Sequence, residues 1–271
     1  MPCALICVTD IHGGAMRAKG ALMAVRDDGA VAGYISNGCV DADIIFQAKA
    51  AMEDGQLRRL KYGEGSPFKD IQLPCGGAID LLVVPAPDTD MIAEAVVKFA
   101  TRQSVTLRFE DFVWDYAPKL RLRIAGRGAA VTALASQALQ SGFEVHLQSP
   151  EADMHNDLAV VKFDHLTNPV APPPQNDDGW SAVILMFHDH DWEVALLTQA
   201  LDSAAFYIGA MGSDRTHALR LDALNGAGVS VENAARIRGP IGLIPSMRDA
   251  NLLALSTLAE IVKSAQESGR L

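Results

Sequence analysis

Leu120-Arg-Leu-Arg-Ile-Ala125-Gly126-Arg127-Gly128-Ala-Ala-Val131 is a short apolar run that ends in two glycines and opens directly into a helix-forming stretch. Such a strand–glycine turn–helix sequence is how a dinucleotide-binding unit begins. Working outward from it, the same alternation continues. A helix over 131–140 is stopped by Gly142, and strands follow at 143–147, 182–187 and 205–208. Further helices fall at 191–201, 214–224 and 249–263. Strands alternating with helices predict a parallel, helix-covered sheet. The stretch 166–179, rich in proline, asparagine and aspartate, reads as a surface loop. The fold class expected is therefore α/β, with a Rossmann-like domain with a parallel sheet over residues 116–271.

Gly126 and Gly128 allow a tight turn and close approach of a phosphate or pyrophosphate, and Arg127 adds charge inside the turn. Val131 stands where a third small residue would let helix and strand pack. Gln148-Ser149-Pro150 stands where an acid would take the ribose hydroxyls of NAD, Glu151 being the nearest carboxylate. The turn therefore reads as a site for a phosphate or pyrophosphate, with NAD(P) and a purely structural turn as the alternatives. Tyr207-Ile-Gly209-Ala-Met-Gly212-Ser213-Asp-Arg215 is a second strand ending in glycines, with Ser213 placed to cap the next helix and Arg215 to complete an anion cradle. His188-Asp-His-Asp191 offers metal-ligating atoms, but four adjacent residues cannot all face one ion, and a capping loop is favoured. Ser246-Met-Arg-Asp249 reads as a capping box for the last helix.

Residues 1–115 have a different texture. Strands at 4–8, 21–25, 31–34 and 78–84 are separated by glycine and aspartate turns, Asp28-Gly29 being a hairpin turn. Helices are expected over 40–51 and 88–99, and Tyr116-Ala-Pro118 as the link between domains. This half is an N-terminal α+β domain. It carries two cysteines set against glycines, Cys39 in Ser36-Asn-Gly-Cys-Val-Asp41 and Cys75 in Pro74-Cys-Gly76-Gly77. Cys39 falls at a helix N-terminus, where unpaired amides favour thiolate. His12, in a glycine turn after the first strand, is a candidate proton acceptor on the same cleft.

With 33 acidic against 23 basic residues and a formal charge of −10, the chain is a poor match for nucleic acid or an anionic membrane. Four cysteines without zinc spacing fit a reducing cytoplasm, and no stretch reaches the roughly 18 apolar residues of a membrane span. A nicotinamide-dependent oxidoreductase and a dithiol redox sensor using Cys39 and Cys75 remain competing readings at this level.

Taken together, Gly33-Tyr-Ile-Ser-Asn-Gly-Cys-Val-Asp41, Cys75-Gly-Gly77, the Gly126 turn, Tyr207-Ile-Gly-Ala-Met-Gly-Ser213 and Pro240-Ile-Gly-Leu243 with Ala259-Glu-Ile261 resemble, in order, the signatures of the XdhC/CoxI family of xanthine dehydrogenase accessory proteins. Asn37, Asp41 and Ala129 depart from the family pattern. The resemblance implies a carrier rather than a catalyst. Such a protein binds molybdenum cofactor (molybdopterin), assists its sulfuration with a cysteine desulfurase and delivers it to a molybdenum hydroxylase apoenzyme; a homodimer is compatible with this. It implies Cys39, Cys75, Gly76 and Gly77 at the metal or its terminal sulfur. Gly126, Arg127, Gly128, Gly209, Gly212, Ser213 and Arg215 would hold phosphate.

Overall fold

A computed structural model describes residues 2–36, 38, 40–66, 76–188 and 191–271. The chain divides into two compact units, Met1–Ala117 and Pro118–Leu271. No helix among the described residues is long and apolar enough to cross a membrane.

The first unit is built on strands β1 (Cys3–His12), β2 (Leu22–Arg26), β3 (Val31–Ala32), β4 (Arg58–Gly63) and β5 (Ala78–Val84), all antiparallel, in the order β3-β2-β1-β5-β4. The Asp28-Gly29 turn joins β2 to β3 as its sequence requires, with Val25 opposite Val31. Helix α1 (Asp41–Asp54) lays Ile44, Ala48 and Ala51 against Ala4, Ile6, Val8, Leu81 and Val83. Residues pointing the other way, Leu5, Leu82 and Val84, join Ala95 of α2 (Thr89–Ala100) and Val105, Leu107 and Phe109 of β6 (Val105–Phe109). Burial on both faces is why β5 is apolar apart from Asp80. Strand β6 pairs with β7 (Phe112–Tyr116) in a hairpin that, like β4, is not among the strands expected from the sequence.

The second unit is a six-stranded, wholly parallel sheet: β8 (Arg121–Gly126), β9 (Glu144–Ser149), β10 (Lys162–His165), β11 (Ser181–Met186), β12 (Tyr207–Ala210) and β13 (Ile237–Arg238). Its order, β10-β9-β8-β11-β12-β13, is third-second-first-fourth-fifth-sixth, that of a dinucleotide-binding fold, whose crevice lies at the carboxyl ends of the strands where the order reverses. Here that is between β8 and β11. Helices α3 (Ala129–Gln140) and α7 (Ala250–Glu267) cover one face through Leu134, Ala138, Ala254 and Ile261. Helix α4 (Glu193–Leu201) and helix α5 (Asp214–Gly226) contribute Leu196, Leu197 and Leu224 to the other; the short α6 (Val231–Ala234) precedes β13.

Two expectations are corrected. The 166–179 stretch is not simply a solvated loop. The β10–β11 crossover has no helix, and Asp177, buried, reaches Arg123 in the middle of β8, whose Nη1 also donates to Gln148 Oε1 at 2.9 Å. Gln148 in turn donates to Asp164 of β10. The strap fills with a charged network the place that an apolar helix would hold. At the last helix the cap is Asp249, which accepts from Asn251 and Leu252 N–H at 2.9 Å each, and not Ser246. A carboxylate one residue before the helix satisfies those amides directly, whereas Ser246 lies too far back with a left-handed φ of 59°.

Candidate functional site

At the switch point each member of the glycine turn serves a different end. A Cβ on Gly126 would lie 2.5 Å from the Met186 carbonyl oxygen and 2.7 Å from Val131 Cγ2. Val131 is thus accommodated because residue 126 has no side chain, so helix α3 packs closely without a third glycine. Gly128 has φ +79° and nothing within 4 Å of its missing Cβ, an open cradle ahead of the α3 amides. Arg127 places its guanidinium 6.0 Å from the Phe187 ring centre, across the reversal in strand order. A carboxylate three residues beyond position 148 stands beside the turn. Gly128 N–H points to Glu151 Oε2 at 3.4 Å, while Gln148 is buried in the Arg123 network.

The second glycine loop is a rigid rim. Gly209 lies inside β12, where a Cβ would meet Ile241 Cγ2 and the Tyr207 ring at 2.7 Å, so its absent side chain serves packing against Pro240-Ile-Gly-Leu243. Gly212 takes φ +149° beside Thr216, and Ser213 Oγ caps α5 by accepting from Thr216 N–H at 3.2 Å. Arg215 is exposed on the first turn of that helix. Beneath them the buried Arg220 holds both Glu193 oxygens (3.1 and 2.8 Å), donates to Met211 O at 2.7 Å and to His217 Nδ1 at 3.3 Å. Burial, then the Arg220 charge, lowers the His217 pKa, so the ring is neutral at pH 7 with its proton on Nε2. Neither Arg220 nor Glu193 stands out in the sequence, since each is one polar residue on a helix. The role of the family-like Ala259-Glu-Ile261 is visible as well. Glu260 accepts from Gly242 N–H at 2.5 Å and pins the loop after β13 to α7.

In the first unit Cys39 and Cys75, with Asn37 between Ser36 and Gly38, lie outside the described residues. The described residues around Cys39 are held by specific contacts to Asp41. Asp41 accepts from Ile35 N–H (3.2 Å), Ser36 N–H (2.9 Å), Ser36 Oγ (3.2 Å) and Gly38 N–H (2.8 Å). Burial opposes the Asp41 charge, but these donors together outweigh it and hold its carboxyl below the usual range. Because the folded value is the lower one, the contribution of Asp41 is present above the ordinary unfolded value of about 3.9 and is lost as pH falls through the depressed one. Asp41→Ala should therefore lower stability by about 1–2 kcal/mol at pH 7, measured by urea unfolding, with the gap to the natural sequence closing as pH falls through the depressed value.

The Gly76-Gly77 pair divides its work. A Cβ on Gly77 would collide with the Gly14 carbonyl oxygen, and one on Gly63 would collide with that of Gly77, so the chain enters β5 wedged between the ends of β1 and β4. Gly76 has φ +67° with open space around it and lines a cavity of about 410 Å³ with His12, Gly13, Lys61 and Glu64. His12 Nε2 is 2.9 Å from Asp80 Oδ2. Asp80 is a site residue that the sequence analysis lacks; its one signal is an aspartate inside an otherwise apolar strand. The two described cysteines are of another kind. Burial pushes the Cys7 thiol up to about 11, and Cys3 donates to the adjacent Ala4 carbonyl. Among the described residues of 188–191, His188 is exposed; Asp189 and His190 lie outside them.

Comparison with known proteins places the chain in a family. A family model described as the XdhC Rossmann domain covers residues 122–261, and one described as the XdhC and CoxI family covers 1–63. The Escherichia coli (strain K12) protein named molybdenum cofactor insertion chaperone PaoD is 36% identical over 95% of this chain and 81% of its own. An uncharacterized protein of the same organism, YqeB, is 23% identical over 97% of this chain, which spans 43% of YqeB. A solved structure titled a xanthine dehydrogenase from Bacillus halodurans superposes with a TM-score of 0.80 over 98% of this chain and 92% of that one; at 19% identity it speaks for the fold alone. With the Rossmann model spanning more than half of the chain and a relative above 30% identity along nearly all of it, the protein belongs to the XdhC and CoxI family.

Proposed function

We propose that this protein binds molybdenum cofactor and hands it to a molybdenum hydroxylase apoenzyme, assisting its sulfuration with a cysteine desulfurase on the way. The observation that carries the reading is the turn at the switch point. Gly128 leaves open the space a side chain would fill, at the amino end of α3, where backbone N–H groups and the helix dipole favour an anion. The name of the 36% identical relative, a molybdenum cofactor insertion chaperone, supports taking that anion as the phosphate of a molybdopterin. The residues present fit such a group in this proposal: Gly126 and Gly128 admit the phosphate, Arg127 offsets its charge, and Gly212, Ser213 and Arg215 bound the crevice from β12. In the first unit, Cys39, Cys75, Gly76 and Gly77 are the residues this reading assigns to the sulfur chemistry. The cofactor itself would supply the redox-active metal and its exchangeable terminal sulfur; the chain's part is to hold, orient and release it. The protein acts in the cytoplasm, where such apoenzymes fold.

Gly128→Val should weaken molybdopterin binding by about tenfold or more, the equivalent of about 1.4 kcal/mol, because the side chain enters the cradle and the left-handed φ is denied. Equilibrium dialysis checks it, and equal affinity would remove the turn from the site. A nicotinamide dinucleotide is the second reading, favoured by one observation, the Glu151 carboxylate beside Gly128, where a ribose acid belongs. Titration with NADH and NADPH followed by fluorescence distinguishes the two.

A further inference from the structure

Strand β1 changes face at a bulge. Ala4, Ile6 and Val8 point into the core beneath α1, and regular alternation would send residue 10 there as well. The register of β1 against β5 slips between Val8 and Asp10, so Ile11 takes the core side instead, and Asp10 and His12 project from the opposite face. Asp80, between the core residues Ile79 and Leu81, projects from that face too and lies directly opposite Asp10. It is the one charged residue of β5. Carboxylates facing each other across an antiparallel pair repel. Here an imidazole stands between them: His12 Nε2 is 2.9 Å from Asp80 Oδ2 and 3.8 Å from Asp10 Oδ2. Lys19 takes the other oxygen of Asp10, its Nζ 3.8 Å from Oδ1 and 5.8 Å from the Trp114 ring centre, so Oδ2 stays turned toward His12. One ligand atom from each of Asp10, His12 and Asp80 lies within 4.8 Å of the other two. Nitrogen and carboxylate ligands held about 2.0–2.2 Å from a divalent ion stand about 3–3.5 Å from one another, and the two separations from Nε2 bracket that range. All three side chains are open to solvent, from which an ion would arrive.

We propose that Asp10, His12 and Asp80 bind a divalent transition-metal ion, in a site that shares no residue with the phosphate turns or the thiols. His12 Nε2 and one oxygen from each aspartate are the ligands. In the ion-free chain Nε2 carries the proton and donates to Asp80, because a carboxylate only accepts. With the ion bound, the proton sits on Nδ1 and Nε2 lends its lone pair, so the ring stays neutral while the two carboxylates offset the charge of the ion. Carboxylates alone would suit magnesium or calcium; the imidazole nitrogen moves the preference to manganese, iron or zinc. Three protein ligands leave further positions to water. Such an ion ties β1 to β5 beyond the bulge, two residues before Gly14, whose carbonyl is wedged against Gly77. Cofactor binding plays no part in it, and either could fail without the other.

Titration of the full, cofactor-free chain with Mn²⁺, the free ion being followed by electron paramagnetic resonance, should show one ion bound per chain. Blocking the thiols beforehand with iodoacetamide should leave that binding in place. Spin-echo modulation should report a directly bound imidazole nitrogen, and Zn²⁺ should displace the Mn²⁺ where Mg²⁺ at the same concentration does not. His12→Gln, Asp10→Asn and Asp80→Asn should each weaken binding by about tenfold or more, and the nitrogen signal should vanish in His12→Gln. Urea unfolding reports on each fold: if Asp80→Asn has lost its transition, the decision passes to the more exposed His12→Gln and Asp10→Asn. No bound Mn²⁺, binding lost on thiol blocking, or an affinity unchanged in His12→Gln and Asp10→Asn overturns the proposal and leaves His12 as a spacer between two aspartates.

Discussion

Arg123→Met is expected to destabilise the second unit by about 3–5 kcal/mol, the largest loss foreseen for a single side chain. Arg123 is fully buried in the middle of β8. Its Nε donates to both Asp177 oxygens (3.1 and 3.0 Å), Nη2 to Asp177 Oδ2 (2.6 Å) and Nη1 to Gln148 Oε1 (2.9 Å). Removing the arginine leaves Asp177 charged, buried and without its partner, and the cost comes from that stranded charge more than from the lost attraction. The double variant Arg123→Met, Asp177→Leu should consequently be more stable than Arg123→Met alone. Urea unfolding of the three proteins decides it: a double variant no better than the single one would mean that packing of the guanidinium, not its charge, is what the network contributes. Because Asp177 belongs to the strap over 166–179, Arg123→Met should also make that strap the first point of proteolytic cleavage.

Gly63→Ala should cost the first unit about 2–5 kcal/mol, of which about 1–2 is the left-handed backbone and about 1–3 the overpacking. Gly63 has φ +93°, and a Cβ there would collide with the Gly77 carbonyl oxygen and stand 2.8 Å from Ala78 Cα. Those neighbours are backbone at the start of β5 and cannot swing aside. Gly76→Ala is the contrast. It has a left-handed φ of +67° but, among the described residues, nothing within 4 Å, so only the conformational part of about 1–2 kcal/mol applies. Thermal unfolding of the two variants measures the difference, and equal losses would show that crowding at Gly63 and Gly77 is relieved at no cost. Within the Cys75-Gly-Gly77 motif the two glycines separate in the same way: Gly77 is required by packing, Gly76 by its left-handed turn at the cavity.

That separation marks what can be read from the sequence. The strand–turn–helix around Gly126 and the alternation after it are legible because period and punctuation are local, and the parallel sheet follows. The Asp28-Gly29 hairpin is legible for the same reason. Residues whose reason lies far along the chain are not. Gly209 looks like a ligand glycine until Ile241, 32 positions later, is found against it. Arg123 sits in an alternating Leu-Arg-Leu-Arg run that suggests a half-exposed strand, and only Asp177, on a loop with no periodicity, accounts for its burial. Val131 looks like an obstacle to close packing as long as its partner, Gly126, is assigned to the ligand. In the first unit the thiols and glycines stand out by composition. The His12–Asp80 pair does not, since 68 residues separate its members.

The most direct measurement is the molybdenum and pterin content of the protein purified from a molybdenum-replete host, by metal analysis and by fluorescence of the oxidised pterin. Molybdenum and pterin are expected in equal amounts, approaching one of each per chain. Both should fall by about tenfold or more in Gly128→Val and in the Cys39→Ala, Cys75→Ala double variant. Protein free of pterin, or pterin undiminished in both variants, would contradict a cofactor-binding role.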